Sequence, residues 1–154
     1  LSERIVGSDL VFVGGGNTAN MLAIWRVHRV DAMLREAWEA GAILCGTSAG
    51  MICWFEAGVT DSFGPDLHGM RDGLGFLTGS ACPHYDGEEL RRPRYHELVR
   101  EGFPAGYAAE DDVGLVFHDT QLAEAVSAAP GKRAYRVELR DGEVVETPIE
   151  ARLV

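Results

Sequence analysis

Short, unbroken apolar runs alternate along this chain with longer stretches of helical period. Asp9-Leu10-Val11-Phe12-Val13 reads as a buried strand that runs straight into Gly14-Gly15-Gly16-Asn17. Behind that loop Met21, Leu22, Ile24, Trp25 and Val27 predict a helix, which Asn17 or Thr18 can cap. Asp31 is the expected N-cap of a second helix, with Met33, Leu34, Ala37 and Trp38 on one face and Gly41 as its stop. Ala42-Ile43-Leu44-Cys45 is then a second strand, and Met51-Ile52-Cys53-Trp54-Phe55 opens a helix expected to end near Gly58.

This βα–βα alternation predicts an α/β fold: a three-layer sandwich with a mainly parallel sheet and helices on both faces. Downstream the pattern loosens. Val59-Thr60 is a short extended piece, followed by a Gly/Pro/Asp-rich loop, then Gly75-Phe76-Leu77 and Ser80-Ala81-Cys82. A polar helix is expected around Glu88–Glu101. The tail turns β-rich, with strands at Val113–His118 and Ala134–Leu139, and Arg140-Asp141-Gly142-Glu143 turning a hairpin into Val144-Val145. No repeat or linker composition interrupts residues 1–154, so one domain is expected.

Composition narrows the function classes. A net charge of -10 leaves no basic stripe to offset phosphate repulsion, which argues against nucleic acid as a partner. No apolar run approaches the length of a membrane span, and no basic-then-apolar leader opens the chain. Cys45, Cys53 and Cys82 sit inside apolar runs without close pairing, so reduced, buried thiols and a cytoplasmic location are expected. None has metal-ligand spacing with the histidines, so no structural zinc site is expected.

Gly46-Thr47-Ser48-Ala49-Gly50 is the richest motif. Strand, G-x-S-x-G, helix is the sequence form of a nucleophile elbow, in which a serine hydroxyl stands on a tight turn above a sheet edge. A nucleophilic serine needs a base, an acid to orient the base, and donors for the oxyanion, and it calls for no metal or other cofactor. Of the five histidines, His84 is the candidate base, because Cys82-Pro83-His84-Tyr85-Asp86 follows an apolar strand and sets the imidazole at a strand's C-terminal edge. The backbone amide of Ala49 opens the elbow helix and is one candidate oxyanion donor. Gly15 and Gly16, in the other strand-to-helix loop, are candidates for the second. The triple glycine is not a dinucleotide fingerprint: position 19 is Ala, and no acidic residue follows at the expected strand end.

Three motifs, Val11-Phe12-Val13-Gly14-Gly15-Gly16-Asn17-Thr18, the Gly46–Gly50 run and Cys82-Pro83-His84-Tyr85, occur in an order and spacing that resemble the peptidase E (aspartyl dipeptidase) family. These are serine peptidases related to cyanophycinases, on a fold like that of class I glutamine amidotransferases. The resemblance covers roughly residues 5–100. It implies Ser48 as nucleophile, His84 as general base, and main-chain donors from Gly15 or Gly16 with Ala49. Ser48 stands where the amidotransferases carry cysteine, which speaks against glutamine hydrolysis.

The resemblance places the orienting acid in the extended segment after the elbow helix, where Asp61 matches best, Glu56 is the alternative and Asp66 a more distant one. It also implies an N-terminal aspartyl residue on a short peptide substrate. Its β-carboxylate calls for a guanidinium nearby. Arg91, Arg92 and Arg94 follow His84 closely and are the candidates, with Asn17 of the glycine loop as a further substrate contact. Relatives carry about two more βα units before the glycine-rich loop. The expectation is therefore a fragment of a longer protein, or a companion segment or second copy that covers the exposed sheet. A hydrolase of isoaspartyl or cyanophycin-type peptides is the second enzyme reading. A non-catalytic subunit that retains the fold is the third.

Overall fold

Asn17 marks the first boundary between loop and helix. The computed structural model, which describes residues 2–154, shows its Oδ1 accepting a hydrogen bond from the Asn20 amide at 2.9 Å. It thereby caps α2 (Thr18–Val27), which follows α1 (Ser2–Val6) and the strand β1 (Leu10–Val13). The next helix, α3 (Val30–Glu39), starts one residue before Asp31, after Arg29 in a left-handed conformation (φ 61°). Gly41 (φ 102°) ends the passage and turns the chain into β2 (Ile43–Gly46).

The elbow helix is shorter than its apolar run implies. α4 spans only Ala49–Ile52, and Phe55–Thr60 forms strand β3. A continuous apolar run is compatible with helix or strand, and here tertiary pairing decides. β3 lies parallel to β5 (Leu77–Cys82), with Gly58 opposite Ala81. Gly58 also packs tightly: a Cβ there would fall 2.4 Å from Ile52 Cγ2.

The remaining elements are β4 (His68–Met70), α5 (Arg91–Arg100), β6 (Gly106–Ala109), β7 (Val113–His118), β8 (Gln121–Ser127), β9 (Arg133–Arg140) and β10 (Glu143–Leu153). β1 and β2 pair in parallel as one small sheet. The other eight strands run in the order β4-β3-β5-β6-β9-β10-β8-β7. Parallel pairing joins β3 to β5 and β5 to β6, and β8 to β10. The hairpins β3–β4, β7–β8 and β9–β10 are antiparallel, as is β6–β9. The fold is therefore α/β with a mixed sheet. Asp141 and Gly142, both at positive φ, make the expected turn between β9 and β10.

Two buried cores flank the strands. One gathers Leu22 of α2, Leu34 of α3 and Ile52 of α4 against Val13, Phe55 and Leu77. The other packs Tyr95, Leu98 and Val99 of α5 against Val59, Ala108 and Val137. Leu10, Phe12 and Ile43, on the small sheet, are each more than half exposed. Among the described residues no helix is long and apolar enough to cross a membrane.

Candidate active site

Ser48 sits between β2 and α4 with φ 55° and ψ -113°, a backbone conformation that non-glycine residues rarely adopt. The turn is tight because two chains meet there without side chains between them. A Cβ on Gly46 would lie 2.4 Å from the Val13 carbonyl oxygen, and one on Gly50 only 2.1 Å from it. Thr47 closes the contact by donating its amide to that same oxygen at 3.0 Å. The two glycines thus let the turn press against the end of β1, and this contact brings the glycine-rich loop beside Ser48. A Cβ built on Gly15 would be 3.4 Å from Ser48 Cβ and 3.8 Å from its Oγ. Gly16 has φ 146°. Ala49 is the first residue of α4, so its amide lies outside the helical ladder.

His84 follows β5 and also has a positive φ, 55°. Its Nδ1 lies 2.8 Å from Oδ1 of Asp111. A carboxylate can only accept, so the proton of this bond resides on Nδ1, and in the neutral imidazole Nε2 then carries the lone pair. Ser48, His84 and Asp111 line one cavity of about 890 Å3, walled by β2, Trp54, Phe76 and the residues that lead into β7. Its charged lining, apart from His84, consists of the carboxylates Glu110, Asp111, Asp112 and Asp119.

The residue bonded to His84 is thus none of the three acids expected from the sequence. Asp61 and Asp66 are exposed on the loop after β3. Glu56 lies on β3 rather than at a helix end, and its Oε2 accepts the Gly79 amide at 2.7 Å, away from the cavity that holds Ser48. Asp111 follows β6, the parallel neighbour of β5, so two adjacent strand ends deliver the histidine and the acid side by side. The sequence signal was faint: Gly106-Tyr107-Ala108-Ala109 is too short and too small in side-chain volume to announce a strand.

The three candidate arginines are occupied elsewhere. Arg91, almost fully buried, donates to the Val59 carbonyl at 2.6 Å and to Glu88 at 2.7 Å. Arg92 pairs with Glu146 and lies over the rings of Tyr85 and Tyr135. Arg94 donates to the Leu67 carbonyl and to Glu97. Asn17 is likewise engaged at both ends of its amide, with Asn20 and with the Ser62 carbonyl. None of these four lines the cavity among the described residues.

Cys53 and Cys82 are buried as expected, whereas Cys45 is only half-buried and lines the cavity. Burial pushes the Cys82 thiol up to about 12, with Arg91 opposing it, and burial likewise raises Cys53. All three cysteines are free. Among the described residues no group of three His, Cys, Asp or Glu side chains has the arrangement of a metal site.

The family model of peptidase family S51 matches residues 1–125, a span that contains Ser48, His84 and Asp111. The chain belongs to peptidase family S51. It is also 49% identical over 153 residues to the uncharacterized peptidase YgaJ of Bacillus subtilis strain 168. That alignment takes in 99% of this chain and 66% of YgaJ, so the chain spans just under two thirds of the curated relative's length. The S51 match ends at residue 125, within β8, and leaves the β9–β10 hairpin outside it.

Proposed function

We propose that this S51 chain carries the catalytic apparatus of a serine peptidase acting on short peptides. In this reading Ser48 attacks the scissile carbonyl and His84 takes its proton and passes it to the leaving amine. Asp111 holds the imidazole in the tautomer that leaves Nε2 free. The amides of Ala49 and of Gly15 or Gly16 receive the oxyanion. The observation that carries the reading is the His84–Asp111 bond in the cavity that Ser48 lines. The positive φ of Ser48, on a turn walled by glycines, supports it as the elbow nucleophile.

An N-terminal aspartyl residue is the substrate the family resemblance implies. Its β-carboxylate requires a cationic partner, and Arg91, Arg92 and Arg94 are committed to other groups. The acidic and apolar lining supports instead a peptide whose ammonium end, rather than a side-chain carboxylate, enters beside Asp112 and Asp119. The free thiols support a reducing, cytoplasmic setting.

The test is hydrolysis of a dipeptide panel (Asp-X, isoaspartyl-X, Leu-X and Lys-X) by the purified protein and by Ser48→Ala. The expected result is turnover that Ser48→Ala abolishes while the circular dichroism spectrum is unchanged. Turnover that persists in Ser48→Ala overturns the serine mechanism. A strong preference for Asp-X over Leu-X and Lys-X overturns the reading in which the ammonium end, and not a side-chain carboxylate, is recognised.

A further inference from the structure

The acid beside His84 is itself fastened by charged groups that make no contact with the imidazole. Asp86 Oδ1 accepts the backbone amide of Asp111 at 2.8 Å, and its other oxygen takes the ammonium of Lys132, just before β9. The Tyr85 amide donates to the Ala109 carbonyl at 3.0 Å, closing the same two segments one step earlier. On the far side, Glu110 accepts from the Arg133 amide and from the Tyr135 hydroxyl, both at 2.9 Å. The turn bearing Asp111 is thus tied to the His84 turn by Asp86 and to β9 by Glu110, while Lys132 joins the His84 turn to the start of β9. Gly87 completes the seat: a Cβ there would fall 1.9 Å from Asp111 Oδ2, so the second carboxylate oxygen occupies the space a side chain would take.

We propose that Asp86, held by Lys132, is a positioning residue for the proposed peptidase reaction, fixing the Asp111 main chain so that its carboxylate meets His84 Nδ1. The inference rests on the serine-peptidase reading of Ser48, His84 and Asp111. Its physical basis is that an acid on an untethered turn samples many positions, and only those within hydrogen-bond reach orient the imidazole. Burial pushes the Asp86 carboxyl up, but Lys132 and the Asp111 amide outweigh it and hold it below its ordinary value, as expected of a carboxylate that works ionised. Asp86 does not line the cavity, so its loss acts through Asp111 and not through substrate contact.

The experiment compares Asp86→Ala, Asp86→Asn, Lys132→Met and Lys132→Arg with the parent and with Ser48→Ala. The readouts are kcat and KM on the best peptide of the panel and the low-field proton resonance of the His84–Asp111 hydrogen bond. Asp86→Ala is expected to lower kcat about 10- to 100-fold with KM within about twofold, and to weaken or shift the resonance. Asp86→Asn keeps an acceptor for the Asp111 amide but loses the ion pair with Lys132, so it should recover only part of the loss, to about the level of Lys132→Met, and Lys132→Arg should recover most of the loss caused by Lys132→Met. If Asp86→Ala does not fold, Lys132→Met carries the test with the same two readouts. An unchanged kcat, a rise in KM alone, or a lowered kcat with the resonance unmoved overturns the positioning role. Turnover persisting in Ser48→Ala overturns the underlying reading instead, so the two failures are told apart.

Discussion

His84 Nδ1 and Asp111 Oδ1 stand 2.8 Å apart although 26 residues separate them along the chain, a meeting produced by the parallel pairing of β5 with β6. Each follows the C-terminal end of its strand, the edge at which open α/β sheets assemble their sites.

That contact makes Asp111 the acid of the proposed triad, and exchange of single carboxylates tests it. Asp111→Asn is expected to reduce kcat by roughly a hundred- to ten-thousand-fold, because an amide in that place no longer demands the productive tautomer. Asp61→Asn and Glu56→Gln should leave kcat within about threefold, since neither approaches His84. Steady-state kinetics on one peptide decides; a large loss in Asp61→Asn with a small one in Asp111→Asn reverses the assignment.

Gly87→Ala separates activity from stability. The atom its new methyl would meet is the free end of the Asp111 side chain, which can swing aside at little cost to the fold. Thermal unfolding should move by only a few degrees. Turnover should fall toward that of Asp111→Asn, because the displaced carboxylate no longer reaches His84. Near-normal turnover would show that Asp111 has room to spare.

Gly50→Ala should do the opposite to the fold. Its Cβ would meet backbone, the Val13 carbonyl oxygen and carbon at 2.1 and 2.7 Å, and backbone cannot rotate away. The expected cost is about 1–3 kcal/mol or more, read as a lower denaturant midpoint, together with loss of activity as the turn separates from β1. An unchanged midpoint would mean that the close approach at this turn contributes little to holding it.

Glu146 predicts an acid-sensitive step in stability. Burial pushes its carboxyl up, but Tyr85, His96 and Arg92 all bond to it and hold it below the ordinary glutamate value. A group depressed on folding stabilises above its unfolded value, near 4.5, and that contribution is lost as pH falls further. Removing it in Glu146→Gln should cost roughly 1.5–3 kcal/mol at pH 7 and flatten the decline of Tm as pH falls below about 4.5. Parallel Tm–pH curves for parent and variant would refute this. The partners come from α5 and the His84 turn and Glu146 itself from β10, so the cluster also ties the β9–β10 hairpin to the site.

Much of the candidate site is marked in the sequence because its motifs are local. The Gly46–Gly50 run needs its glycines where β1 presses on the turn, and His84 directly follows an apolar strand, so spacing within a few residues announces both. The length of the elbow helix was not legible. Met51–Phe55 is apolar enough for either structure, and the pairing of Phe55 with Leu77 converts its end to strand. That shortening also moved Glu56 onto β3 and away from any helix end.

The sequence alone determined the strand-loop-helix order of the first half, the two glycine-dependent turns, the candidate serine and histidine, and the likeness to a peptidase family. Those features depend on neighbours a few residues apart, whose sterics and periodicity are written locally. Only the tertiary structure decided which carboxylate meets the histidine, that the arginines after it are spent on Val59, Glu146 and Glu97, and that the tail makes the sheet mixed. Strand pairing joins residues far apart in the chain, and a weak strand such as Gly106–Ala109 acquires its place only from the partners on either side.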